Sequence, residues 1–254
     1  RHFNWQTQYN VSHNSNKVTA YYVSAAAASN YVAGAAAQIT GIVGKPVYSV
    51  FTYRTNGLDA SGNPIGYLNG QPSYNYNSIM GTGTSINELD FSGASLPTWF
   101  GNLQNRLAYG AFSLQASISF KAGYYFKRNS INYGNLINNG QGHADYALRW
   151  QAPGDEANTV VPAFVYPNIA GRDAFFNSST VLVEKGDHLR LQYINLTYQL
   201  PIAKQWIKRI QFSLNASNLG ILWRANNKDI DPEYYRNNFL PISKTYGLGL
   251  KLDF

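Results

Sequence analysis

The chain has 254 residues, which is enough for one large or two ordinary domains, and its formal net charge is +7 at pH 7. Charged residues make up 13% of the sequence and aromatic residues 15%, whereas disordered chains are rich in charge and poor in aromatics. The absence of cysteine excludes a disulfide framework and a thiolate metal site. The basic residues are scattered, and their densest group lies in the short segment 204–209, so nucleic-acid binding is not indicated.

The start of the chain, RHFNWQTQYN, has neither an initiator methionine nor the apolar core of a signal peptide. We therefore expect the sequence to be a piece of a longer protein. No run approaches the roughly 18 consecutive apolar residues of a transmembrane helix, so none is predicted.

Apolar and polar residues alternate along much of the chain, and helical periodicity is almost missing, which predicts an all-β protein of about eight strands. The first predicted strand is NWQTQYNV, at 4–11. The segments KVTAYY (17–22) and PVYSVFTY (46–53) give weaker strand signals. The alanine-rich run at 25–38 is interrupted by glycine and asparagine, which favours a loop with a helical turn.

The central segment 99–126 predicts a long antiparallel hairpin. Apolar residues alternate with Asn, Gln and Arg over 99–109, and with Ser, Gln and Lys over 112–126. Gly110 between them is a turn signal. Strands of this length exceed the usual five or six residues of a globular protein.

The last third of the chain predicts three more strands. In the segment 189–200 the apolar phase slips by one residue, which indicates a β-bulge near Tyr193. The segment 210–217 alternates without a slip. The chain ends on a two-faced strand that we interpret as a barrel's closing strand and assembly signal, with its apolar face formed by Tyr246, Leu248, Leu250, Leu252 and Phe254.

The connections between these strands differ strongly in length. The turn at 110–111 and the connection at 201–209 are short, whereas 128–187 and 224–243 are long and rich in Asn, Gly or Pro. Short turns at one end, long loops at the other and aromatic residues near strand ends are typical of an outer-membrane barrel. Because lipid leaves no backbone group unpaired, such strands have to close into a barrel. The sequence therefore predicts an antiparallel transmembrane β-barrel portion with short periplasmic turns and long extracellular loops.

Seven segments, in this order, resemble the SusC/RagA-like TonB-dependent transporters of Bacteroidetes outer membranes. The resemblance covers nearly the whole chain from Asn4 onward, and it is densest in the C-terminal third. The segments are GKPVYSVFTYRTNGLDASGNPIGYLNG (44–70), LPTWFGNLQNRLAYGAFSLQASISF (96–120), RWQAPGD (149–155), LRLQYINLTYQLP (189–201), WIKRIQFSLNASNLGIL (206–222), DIDPEYY (229–235) and PISKTYGLGLKLDF (241–254).

The resemblance implies that residues 1–254 form the C-terminal part of a barrel of about 22 strands, whose plug domain and N-terminal strands lie outside this sequence. It implies nutrient import across the outer membrane of a Gram-negative bacterium of the Bacteroidetes, without catalysis. The substrate would be an oligosaccharide or a peptide. The implied partners are the TonB complex, reached through the missing N-terminal part, a SusD-like surface lipoprotein acting as a lid, and the outer-membrane lipids.

Aromatic loop or lumen residues are the candidates for contact with a substrate or partner, because aromatic faces stack on sugars and pack on proteins. Plain loop packing is the alternative for each of them. They are Tyr125, Tyr133, Trp150, Tyr166, Trp223, Tyr234 and Tyr235.

Other polar groups give weaker signals. His143 and Asp145 could form an acid–base pair, but no nucleophile is predicted beside them. Asp229, Asp231 and Glu233 offer oxygen ligands for Ca²⁺, without the spacing of a dedicated site. No cofactor is otherwise indicated.

Two other classes of protein stay open. A small self-contained barrel, passive or structural, would use about eight strands around an interior filled by side chains. An outer-membrane enzyme, or a soluble β-sandwich adhesin, would also show period-two strands.

Overall fold

The computed structural model of the protein describes residues 3–22, 27–32, 39, 41–202, 206–235 and 240–254. The elements are mainly antiparallel strands, which confirms the predicted all-β class. The strands are β1 (Phe3–His13), β2 (Ser49–Tyr53), β3 (Thr55–Leu58), β4 (Pro64–Leu68), β5 (Gln71–Ser73), β6 (Leu89–Ala94), β7 (Trp99–Tyr109), β8 (Phe112–Ala122), β9 (Tyr125–Lys127), β10 (Val183–Lys185), β11 (His188–Leu200), β12 (Arg209–Arg224) and β13 (Thr245–Asp253).

The helices are short, and each lies in a connection between strands. No helix within the described residues combines the length and apolar character needed to cross a membrane. The α-helices are α1 (Ser29–Val32), α2 (Tyr76–Ile79), α3 (Tyr133–Asn139) and α4 (Arg172–Phe176), and the 3-10 turns are Ile86–Glu88, Ala144–Leu148, Asp155–Ala157 and Thr180–Leu182.

The chain divides into two compact units. We call residues 1–14, 97–123 and 186–254 the sheet unit, and residues 15–96 and 124–185 the loop unit. The sheet unit is one antiparallel sheet in the order β1-β7-β8-β11-β12-β13. Among the described residues, β1 and β13 each have one strand neighbour, so the predicted pairing of the last strand with a barrel's first strand stays a prediction.

The sheet has one long-connection end and one short-turn end. The connections 14–98, 123–187 and 225–244 leave the first end, and the turn 110–111 and the segment 201–208 join strands at the second. This arrangement confirms the alternation of connection lengths read from the sequence. The strands have 9 to 16 residues, which is the length that lets a tilted strand cross a bilayer.

The β-bulge predicted near Tyr193 is confirmed, but it places that side chain on the other face. The register shift falls between Leu191 and Tyr193, so Gln192 is the extra residue and Tyr193 lies opposite Ser117 on the polar face. Ile194 then lies opposite Ala116 and restores the apolar phase. The bulge therefore exchanges an apolar position for a polar one in mid-strand.

Two predicted segments differ from the structure, and a third is described only in part. Residues 17–22 form no strand; they contain an isolated bridge from Val18 to Val43, because the backbone of Val18 bonds to the turn at 44–45 instead. The strand predicted over 112–126 breaks at Gly123, whose φ is +76° and whose N–H donates to Asp187 Oδ1 at 2.7 Å. In the alanine-rich run at 25–38, residues 27–32 contain the predicted helical turn as α1, and the remaining residues lie outside the described part of the chain.

The loop unit has a core of its own, which the sequence did not predict. One cluster includes Phe51, Tyr76, Ile79 and Phe175, and a second includes Tyr133, Val161, Phe176 and Leu182. In the first cluster, segment 15–96 packs against segment 124–185, because Phe175 of α4 lies against side chains of β2 and α2. The strand at 49–53 pairs with β6 inside this unit. Among the described residues the long sheet therefore has six strands, whereas the sequence predicted about eight.

Candidate functional site

The two faces of the sheet unit differ in chemistry. Facing pairs such as Leu214 and Leu248 are apolar and exposed, and Leu248 is 89% exposed. The opposite face carries amide, hydroxyl and charged side chains. A contiguous exposed apolar face of this size marks a surface that contacts protein or lipid. Its exposed members include Trp5, Tyr9, Trp99, Tyr109, Phe112, Leu114, Leu189, Leu196, Phe212, Leu214, Trp223, Tyr246, Leu248, Leu250 and Leu252.

The polar face carries a shallow pocket of about 130 Å³. Tyr193 holds two of the lining side chains, because its hydroxyl accepts hydrogen bonds from Gln104 Nε2 at 3.0 Å and Gln115 Nε2 at 3.1 Å. Primary amides donate and accept hydrogen bonds without carrying charge, so the surface suits polar, mainly uncharged groups. The lining residues are Gln6, Gln8, Gln104, Asn105, Arg106 and Gln115.

Near the long-connection end, an ion-pair network fixes the segment 231–234 to the sheet. Arg190 Nη2 donates to both oxygens of Asp231 at 2.6 Å, and its Nε lies 3.0 Å from Glu233 Oε2. Lys121 Nζ pairs with Glu233 Oε1, and buried His188 lies 3.9 Å from the same oxygen. Five charged or titratable groups on two strands and one connection thus restrain that connection.

The same contacts occupy the oxygens considered for Ca²⁺. Asp231 and Glu233 face cationic side chains, and Asp229, whose side chain is 96% exposed, pairs with Arg224 at 3.3 Å. In the described part of the chain, no group of three or more acidic or histidine side chains is arranged to hold a metal ion. The acidic segment therefore acts as an anchor through its ion pairs.

In the loop unit, buried Arg172 joins the two segments of chain. Its Nη1 donates to the Ala163 carbonyl at 2.8 Å and its Nη2 to the Gly62 carbonyl at 2.9 Å. Gly62 has φ +74°, and a Cβ there would lie 2.6 Å from the Trp150 ring. Only glycine combines this conformation with so close an approach.

Two buried tyrosines complete this region. The Tyr76 hydroxyl donates to the Pro64 carbonyl at 2.9 Å, and the Tyr133 hydroxyl donates to the Pro162 carbonyl at 2.6 Å. Burial raises the pKa of both hydroxyls to about 12. They therefore stay protonated donors and hold backbone carbonyls of the loops in place.

His143 and Asp145 form a structural cluster in this unit. Asp145 Oδ2 accepts from Arg128 Nη1 and Ser130 Oγ, both at 2.5 Å, and Glu184 lies 3.5 Å from Arg128 Nε. His143 caps the 3-10 turn that follows it, because its Nδ1 accepts from the Asp145 N–H at 3.1 Å. Burial raises the pKa of Asp145, but the hydrogen bonds from Ser130 and Arg128 outweigh it and bring the pKa below its usual range.

We expect Asp145→Asn to lower the free energy of unfolding of the loop unit by about 2 kcal/mol at pH 7, because Arg128 loses its closest buried counter-charge. The folded pKa of Asp145 is depressed, so its contribution is complete above the ordinary aspartate pKa of 3.8 and is lost as pH falls through the lower folded value. Hydrogen exchange of the loop unit at pH 7 and at about pH 3 measures both predictions. A difference from the parent protein that is equally large at both pH values would contradict this role.

The structure places the predicted aromatic contact residues in four environments. Tyr166 is 74% exposed in the loop unit. Tyr133 is buried, and Tyr125, Trp150, Tyr234 and Tyr235 are half-buried. Trp223 lies opposite Leu189 on the apolar face of the sheet. Of the seven, Tyr166 alone combines high exposure with a position in the long connections.

Tyr166 is close in sequence to an aromatic group that the sequence analysis missed. The rings of Tyr146 and Phe164 lie 6.4 Å apart, and both contact Tyr133 beneath them. The guanidinium of Arg149 lies 4.1 Å from the centre of the Tyr146 ring. The spacing of Tyr146 and Arg149, three residues apart, was the available signal, since such residues share one side of a helical turn. We call Tyr146, Arg149 and Phe164 the aromatic patch, and exposed Tyr166 follows Phe164 by two residues.

Solved structures of a peptide importer resemble this chain. The RagAB peptide importer in its open-open state matches with a TM-score of 0.66 and 22% identity, and its closed-closed state with 0.66 and 21%. A structure described as the RagAB peptide transporter matches with 0.69 and 23%. Each match covers 99% of this chain and 27% of the other, so this chain spans about a quarter of the length of the chains it matches.

The likeness defines the fold: the chain adopts the architecture of a segment of these transporter chains. No protein-family model and no curated protein sequence matches it.

Proposed function

We propose that this chain is a portion of the barrel of a SusC/RagA-like outer-membrane transporter that imports a nutrient. The observation that carries the proposal is the likeness to the RagAB importer over 99% of the chain. The transporter would be a passage for its substrate and not an enzyme. The TonB complex would power it, and a SusD-like lipoprotein would cover its outer opening.

The two-faced sheet supports this assignment. Its apolar face would contact outer-membrane lipid and its polar face would line the lumen, as in a transmembrane barrel. The short-turn end would then lie on the periplasmic side and the long-connection end on the extracellular side. The loop unit is formed from two of those long connections, so it would be the extracellular part.

The substrate class follows from the polar face and the aromatic patch. Amides on the lumen side and aromatic rings in the loop unit would bind polar, extended molecules, either oligosaccharides or peptides. Peptides are the first class to test, because the similar structures are named as peptide importers.

An uptake experiment tests the proposal. Bacteria that make the complete native polypeptide would receive a mixture of fluorescent peptides and oligosaccharides, and uptake would be compared with a strain lacking the gene and a strain lacking TonB. We expect uptake of one class to require both genes. Uptake that is unchanged in both deletion strains would contradict the proposal, and uptake that requires the gene but not TonB would favour a passive barrel.

We expect Tyr166→Ala to weaken binding of the substrate or the lid about tenfold while leaving stability unchanged within about 0.5 kcal/mol, because an exposed aromatic contributes through its partner and not through the core. Tyr22→Ala is the matched control, since Tyr22 is a 97% exposed tyrosine of the same unit outside the aromatic patch. Titration of the complete transporter with the imported substrate and with the purified lid separates the two ligands. Equal affinities for the parent protein and the Tyr166 variant with both ligands would remove Tyr166 from the site.

A further inference from the structure

At its short-turn end, the sheet unit carries a second pocket, of about 660 Å³. It lies between the β7–β8 turn and the segment that joins β11 to β12. Its volume is in the range of sites that hold small molecules. Its lining residues are Tyr109, Gly110, Ala111, Phe112, Tyr198, Gln199, Leu200, Pro201, Ile202 and Lys208.

One wall of the pocket is aromatic and belongs to the apolar face. The rings of Phe112 and Tyr198 lie 4.6 Å apart, and Phe112 and Tyr109 are both more than half exposed. Leu114 and Leu196, also exposed, lie opposite each other one step further along the same face. A flexible hydrocarbon chain could therefore lie along the rings and continue over the leucines.

Among the described residues that line the pocket, one side chain is charged. Lys208 is the one charged residue among the lining residues, which include no carboxylate. Its backbone N–H donates to the Asp253 carbonyl at 2.8 Å, which fixes its position. The neighbouring cations Arg209 and Lys251 face the Asp253 carboxylate at 3.7 Å and 3.6 Å. Of these three described cations, Lys208 is the one that lines the pocket and can meet an anion there.

We propose that this pocket binds an anionic phospholipid, with the phosphate at Lys208 and an acyl chain along the aromatic wall. The inference rests on the proposed function, which brings the apolar face into lipid. Aromatic side chains at strand ends lie at headgroup depth in membrane barrels, and a lysine at that depth attracts anionic headgroups. Inorganic phosphate would share the contact with Lys208 but could not use the rings.

Native mass spectrometry of the complete polypeptide, released from detergent with added phosphatidylglycerol, tests the proposal. We expect Lys208→Gln to lower lipid occupancy about fivefold, the effect of one lysine near an anionic surface. Lys208→Arg should retain occupancy within about twofold, and Lys251→Gln, which removes a cation already paired with Asp253, should leave it unchanged. Heat-modifiable gel migration confirms that each variant is folded.

Three outcomes would overturn the inference: equal occupancy in the parent and Lys208→Gln proteins, an equal loss in Lys251→Gln, or displacement of the lipid by inorganic phosphate. The proposed function has a separate readout, which is extraction of the polypeptide from outer membranes. If detergent is required for extraction but the lipid test fails, the pocket assignment alone is wrong. If the polypeptide dissolves without detergent, the transporter assignment fails as well.

Discussion

Replacement of Arg172 by alanine is expected to lower the free energy of unfolding of the loop unit by about 4 kcal/mol. The side chain is 1% exposed, and its charge-assisted hydrogen bonds reach carbonyls of Gly62 and Ala163 at 2.9 Å and 2.8 Å. Its removal takes the donor from the buried Ala163 carbonyl, at about 1–3 kcal/mol, and leaves a cavity. The Gly62 carbonyl keeps its hydrogen bond from the Ala163 N–H at 2.9 Å but loses the charged donor. Because Gly62 and Ala163 belong to different segments of the unit, both segments should lose protection together.

Pulse proteolysis of the complete protein measures this effect through new cleavage within 15–96 and 124–185. Arg54→Ala is the matched control, since Arg54 lies in the same unit and makes an exposed ion pair with Asp90 at 2.9 Å; its loss should cost less than about 1 kcal/mol. Arg172→Lys keeps the charge but cannot donate to both carbonyls through one planar guanidinium group. Its loss of stability should fall between those of the two alanine variants. Equal cleavage of the Arg172→Ala and Arg54→Ala proteins would refute the role assigned to Arg172.

The long sheet was predictable from the sequence because its strands obey a local rule. Each residue of β7 and β8 faces one of two environments, so the alternation of apolar and polar residues is visible in the sequence. It gave both ends of β7 and the start of β8, but not the end of β8 before Gly123. The bulge near Tyr193 was visible for the same reason, as a slip of phase. The face on which Tyr193 lies could not be predicted from the sequence. It depends on whether the extra residue of the bulge comes before or after Tyr193, and the pairing with β8 shows that it comes before.

The loop unit could not be predicted because its order comes from contacts distant in sequence. Arg172 in GRDAFF looks like an exposed loop arginine, and its acceptors lie at Gly62 and Ala163. The strand at 49–53 pairs with β6 and not with the long sheet, which local alternation cannot indicate. Short elements with irregular connections carry too little periodicity to reveal which segments will share a core.

The candidate site was partly predictable. The exposure of Tyr166 is what its place in a long connection predicts. Tyr133 was proposed because it also lies in a long connection, but it is buried beneath Tyr146 and Phe164. The burial of Tyr133 depends on the packing of α3 against the segment 161–164, and no sequence pattern indicates that packing. Residue type therefore suggested the aromatic candidates, and tertiary packing decides which of them are exposed.

Replacement of Leu248 by arginine is expected to destabilise the protein in lipid bilayers by about 2–4 kcal/mol, the cost of a cation on the lipid face near the midplane of a transmembrane barrel. Leu248 lies near the middle of β13, opposite Leu214 on the apolar face. In a water-soluble sheet the same change would cost little, because the side chain is 89% exposed and an arginine there would be solvated. The substitution is therefore expected to cause a large loss of stability if Leu248 faces lipid and almost none if it faces water.

Gln8→Arg is the matched control for Leu248→Arg, since Gln8 lies near the middle of the other edge strand, β1, and lines the pocket on the polar face. An arginine there would face the lumen, where a charge is hydrated, and should leave stability within about 1 kcal/mol of the parent. Folding of the complete polypeptide into lipid vesicles across a denaturant series measures both variants. A selective loss in Leu248→Arg would place the apolar face in lipid. Equal stabilities, with Leu248→Arg more soluble in the absence of detergent, would instead assign that face to water and rule out a membrane-spanning sheet.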